Sequence, residues 1–173
     1  HMDNGIRTVL VRISQGVALF GGLVITVVAF VAVVSILGRW LSGLPLVGAW
    51  FPELSGIAGD FELIEMGVAI AVFAFLPYTQ MRYGHVTVDL LVDAAPPRVK
   101  AVLTVLGNAL FTVMAVLLTW RLALGLLDKM AYQETTMILA LPLWYGYVPS
   151  VVCLGLLGLV CAYTTVEAVL DCL

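Results

Sequence analysis

Glu62 and Glu65 are the residues that most invite chemistry. They stand three apart in an apolar setting, so a helix carries both on one face. Carboxylates so placed could pair with Arg39 or Arg121 across neighbouring helices, each could reach water independently by snorkelling, or they could pass on a proton or cation. A relay would need further groups at mid-depth, and the apolar runs hold no charge there. A second set is Arg82, Gly84, His85 and Asp89. Gly84 permits a tight exit from a helix, and Arg82 and His85 place donors where the last carbonyls are exposed. Asp89 can accept from His85 or from backbone amides. The set reads as a corner between two helices or as a docking site for a partner.

The residues that are missing exclude several functions. A catalytic His85 would need a nucleophile or a metal set beside it, and the sequence offers neither. His1–Met2 reads as the scar of a cleaved tag, which leaves His85 as one native histidine. Bis-histidine haem needs two. No apolar run contains paired aspartates, a Ser with a His or Lys, or HExxH, so intramembrane proteolysis is not expected. Cys153, Cys161 and Cys172 lack CxxC spacing and read as small core hydrophobes. The chain is expected to be no enzyme and to hold no cofactor or metal of its own.

The elements that position these residues follow from composition. Of 173 residues, 62% are hydrophobic and 11% charged. A soluble domain carries about 25% charged residues, so too little polar surface exists here to coat a globule in water. A nucleic-acid partner is excluded as well, because the net charge of −3 provides no basic surplus. A span needs about 20 mostly apolar residues. Four stretches qualify, at about 13–37, 61–79, 101–124 and 148–169. They are continuously apolar instead of alternating, which predicts helices and not barrel strands. The uncharged run Ile13–Gly38 exceeds the usual 7–15 residues, roughly, of a signal-peptide core and reads as a retained first helix.

Charge placement orients these spans. Arg7, Arg12, Arg82, Arg98 and Lys100 fall on one side, and Arg39, Arg121 and Lys129 on the other. The positive-inside rule then puts both termini in the cytoplasm. Trp40, Trp50 and Trp144 are expected at headgroup depth on the far side, as interfacial anchors. Between the second and third spans, Val88, Leu91, Val92 and Ala95 follow i, i+3, i+4, i+7 spacing. That predicts a short amphipathic helix at about 86–95 on the cytoplasmic surface. The expectation is therefore an all-α membrane protein, with four transmembrane helices and this surface helix, in a single integral membrane domain.

The stretch Arg82-Tyr83-Gly84-His85-Val86-Thr87-Val88-Asp89-Leu90 carries a resemblance. A basic residue, Gly-His, an aliphatic residue, a spacer and Val-Asp-Leu resemble the small four-helix membrane subunit of TRAP (tripartite ATP-independent periplasmic) transporters. Glu65 at the head of the second span and Leu141-Pro142-Leu143-Trp144 before the fourth agree with it. The second span carries Phe73-Ala74-Phe75 where such chains often have a tryptophan. The resemblance implies a bacterial or archaeal inner-membrane protein in a 1:1 heterodimer with a large membrane subunit, served by a periplasmic substrate-binding protein. It further implies sodium-coupled uptake of an organic acid, with sodium bound by the large subunit. The small chain would act as scaffold and help dock the binding protein. A self-assembling channel or scaffold of four helices is the alternative class.

Overall fold

The computed structural model describes residues 4–43, 57–82 and 96–172. Four helices account for nearly all of these: α1 Asn4–Ser42, α2 Asp60–Met81, α3 Pro97–Tyr132 and α4 Trp144–Cys172. Among the described residues there is no strand beyond an isolated bridge between Thr135 and Pro142. All four helices are long and apolar enough to cross a membrane. The chain is thus an all-α protein of four membrane helices. The expected surface helix at about 86–95, together with Gly84, His85, Asp89 and Trp50, lies outside the described residues.

The helices run beyond the apolar stretches that announce them. At 39 residues, α1 spans roughly 58 Å at about 1.5 Å per residue, against about 30 Å of hydrocarbon. Its charged ends therefore stand in or beyond the interface, where water costs the helix nothing. The second span does not stop near Pro77, because α2 continues through it to Met81. Proline interrupts one backbone bond, and a membrane helix tolerates this where neighbours cover the gap. Pro77 is buried.

Packing sets the helices in a row, in the order α1, α2, α4, α3. α4 is the most buried of them, and α1 and α3 are the least. The seam between α1 and α2 is made by small residues. Val28 Cγ2 lies so close to Gly67 that a Cβ there would sit 2.3 Å from it. Gly21 faces Ala71 and Ala74 in the same way. Without a hydrophobic drive between helices in lipid, such close approach supplies dispersion contacts that larger residues would block. Gly16 and Gly107 face open space, so being a small residue does not by itself mark a contact.

The other half of the row is built on α4. Leu154, Leu157 and Cys161 pack with Ala115 of α3, and Phe73, Leu76 and Leu122 close over them. Polar pairs staple the same seams: Gln80 Nε2 donates to Thr164 Oγ1 at 3.1 Å, and the hydroxyls of Thr112 and Thr165 lie 2.9 Å apart. The outward faces of α1 and α3 stay bare, with Leu19, Phe30, Leu106 and Leu110 each at least 60% exposed. In water that surface would aggregate, and in a bilayer it meets lipid or another membrane chain.

Candidate functional site

Two polar clusters lie at the opposite ends of α2. At one end, Asp60 opens α2 and is 3% exposed. Its Oδ2 accepts from Ser35 Oγ at 2.6 Å and from Arg39 Nη2 at 2.8 Å. Its Oδ1 accepts the Phe61 backbone N–H at 2.9 Å. Ser35 also accepts the Ile57 N–H at 3.2 Å, so one hydroxyl ties α1 to the chain entering α2. The Arg39 guanidinium stands 5.3 Å from the centroid of the Phe61 ring, a cation–π contact. Sequence reasoning reached Arg39 but not its partner. The signal was available: Ser35 and Arg39 are four apart on one helix face, and Asp60 follows Gly59 at a helix start.

Arg39 is thus paired to Asp60, and neither Glu62 nor Glu65 reaches it. Asp60 precedes both at the start of α2, and its short side chain is already fixed by Ser35. Glu62 points the other way. Its two oxygens accept the Ile138 N–H at 2.7 Å and the Leu139 N–H at 2.9 Å. These amides sit in the turn between α3 and α4. That turn is held by the Thr136 N–H to Leu141 O bond at 2.9 Å and by an ion pair of Lys129 with Glu134. Ala140 takes φ 50° to close it. Leu139 then packs over Gly59, whose φ of 78° and lack of a Cβ make the space. One carboxylate therefore locks the α1–α2 half to the α3–α4 half. Glu62→Ala is expected to speed amide exchange at Ile138 and Leu139 while leaving exchange in the middle of α4 unchanged, as read by hydrogen-exchange mass spectrometry.

Glu65 and Arg121 have no ion-pair partner among the described residues. Both line an open groove between α2 and α3, floored by α4. Its first part, about 390 Å³, is bounded by Glu62, Glu65, Met66, Phe73, Lys129 and Tyr147. Its second, about 290 Å³, shares Phe73, Leu122 and Tyr147 and adds Arg121. The groove is apolar within and charged at its rims. Trp40 is 66% exposed at the end of α1, and Trp144 is half-buried against Tyr145, ring centroids 4.2 Å apart.

At the opposite end Arg82 is exposed. Its Nε donates to Tyr78 Oη at 3.1 Å, one turn back, and its guanidinium lies 5.5 Å from that ring. Nothing among the described residues groups three or more metal-ligating side chains. Cys153 and Cys161 are buried free thiols of the core. The arrangement offers no reacting centre. It offers a braced panel with one charged, grooved face.

A family model described as tripartite ATP-independent periplasmic transporters, DctQ component, matches residues 47–171. That stretch takes in all of α2 and α3 and nearly all of α4, and it leaves out α1. No curated protein and no solved structure matches the chain.

Proposed function

The chain belongs to the DctQ component family of tripartite ATP-independent periplasmic transporters, and from that membership we propose that it is the scaffold subunit of a sodium-coupled organic-acid importer. The family works with a large TRAP membrane subunit and a substrate-binding protein, and the chain is a multi-pass inner-membrane transporter component, not an enzyme. In our reading it joins the large subunit 1:1, with both termini in the cytoplasm and sodium bound by that partner. Its far-side segments at 38–60 and 127–147 help receive the binding protein. In the same reading, Arg82, Gly84, His85 and Asp89, on the other side, serve the helix corner or the docking of the large subunit.

The observation that carries the scaffold role is where charge is missing. From Arg12 to Arg39, from Glu65 to Arg82 and from Lys100 to Arg121 no charged residue occurs, nor from Trp144 to Val166. The helix row is instead stapled by neutral pairs such as Gln80–Thr164. A chain that moved an ion or an organic anion by itself would need polar groups at mid-depth. Glu65 and Arg121, unpaired at the rims of an open apolar groove, suit a helix of the large subunit seated there. Coexpressed with its large subunit, the chain is expected to purify as a single-copy complex, with a mass to match by native mass spectrometry. Recovery solely as a homo-oligomer would overturn the reading in favour of a self-assembling channel.

A further inference from the structure

The end of the helices that carries Arg82 holds a feature that goes beyond partner docking. Between the start of α1 and the end of α2 lies a concavity of about 420 Å³, lined by Arg7, Arg12, Gln15, Arg82, Val11 and Met81. Three guanidinium groups face one space. Among the described residues, Glu167 of α4 pairs with Arg7, its Oε1 4.0 Å from Arg7 Nε. Arg12 has no ion-pair partner among the described residues. Arg82 donates its Nε to Tyr78 and, like Arg12, has no ion-pair partner among the described residues. Unanswered guanidinium groups with planar donor forks match the oxygens of a phosphodiester.

Depth selects the kind of phosphodiester. Beyond Arg12 the next 26 residues of α1 carry no charge, and neither do the 16 residues of α2 before Arg82. The arginines therefore mark the polar–apolar boundary on both helices at one level. The lining is amphiphilic too, with Val11 and buried Met81 among the arginines. One turn past Gln15 on the same face, Leu19 is 70% exposed. A free phosphate would gain nothing from these apolar groups, while an acyl chain would lie along them. We propose that this concavity is a binding site for an anionic phospholipid headgroup, its phosphate held by Arg12 and Arg82 and its chains lying along α1. Basic pockets at this level of a membrane protein are suited to such lipids.

The test uses the full chain in neutral detergent, titrated with phosphatidylglycerol, phosphatidylcholine or inorganic phosphate and followed by native mass spectrometry and melting temperature. Phosphatidylglycerol is expected to bind in preference to phosphatidylcholine and to raise the melting temperature, while inorganic phosphate does neither. Arg12→Gln/Arg82→Gln is expected to weaken phosphatidylglycerol binding by about 25-fold, each arginine near a membrane surface being worth about fivefold, and Arg12→Lys/Arg82→Lys to recover part of it. Arg12→Gln alone, at an exposed position, keeps the test open should the double variant fold poorly. Equal binding of the two lipids, or unchanged binding by Arg12→Gln, would overturn the site. Stabilisation by inorganic phosphate equal to that by lipid would overturn the lipid assignment.

Discussion

Asp60→Ala is expected to lower the melting temperature of the detergent-solubilised protein by several degrees, more than Ser35→Ala or Arg39→Ala does. Three donors converge on this carboxylate: Ser35, Arg39 and the Phe61 amide. Alanine leaves all three without their acceptor at once. The first turn of α2 loses its side-chain oxygen and the negative charge that suits a helix N-terminus. Arg39 loses its anion near hydrocarbon, where an unpaired cation is costly. Ser35 and Arg39 are single donors, so removing either leaves Asp60 with the other. Asp60→Asn keeps acceptor oxygen but not charge and is expected to fall between. Scanning fluorimetry of the four variants checks the order. An Asp60→Ala melt coinciding with the wild type would mean that the pair does no more than a solvent-screened surface bridge.

Gly67→Ala is expected to destabilise the chain by about 1–3 kcal/mol, the usual range for overpacking, and Val28→Ala is expected to restore most of the loss. A Cβ at position 67 would sit 2.3 Å from Val28 Cγ2, a distance that bonded neighbours alone approach. Val28 is β-branched and stiff at χ1, so it cannot swing aside within its helix. Either α1 backs away from α2, or strain is held at the seam. Removing the Val28 methyls vacates that volume, and Val24 Cγ1 at 3.7 Å remains in ordinary contact. Comparing Gly67→Ala, Val28→Ala and the double variant isolates the coupling between the two sites. Additive losses would show that the tight seam is not where the strain arises.

Much was legible in the sequence because the bilayer imposes one rule. Uncharged runs of span length must form helices, so four runs gave four helices, and the clustering of charges gave their ends. Arg39, Glu62, Glu65 and Arg121 were recognisable as costly positions for the same reason. What those residues touch was at most faintly legible, in the Ser35–Arg39 spacing and the helix start at Asp60. Pairing depends on which helix lies beside which, and Asp60 meets Arg39 where α1 and α2 pack together. Glu62 turned to two backbone amides, and backbone amides carry no side-chain signature in a sequence. Gly67 looked like any other membrane glycine beside Gly16 and Gly107, which face open space.

The sequence by itself determined the solvent and the number of the helices, and it pointed to the family through the resemblance of a short motif around Arg82. Solvent and helix number follow from composition and uncharged run length, which each segment carries alone. The tertiary structure decided the row order α1, α2, α4, α3, the Ser35–Arg39–Asp60 knot, the lock of Glu62 on the 138–139 amides and the groove that Glu65 and Arg121 line. Those depend on helix rotation and neighbourhood, and nearly uniform apolar faces encode them through only a few small or polar residues.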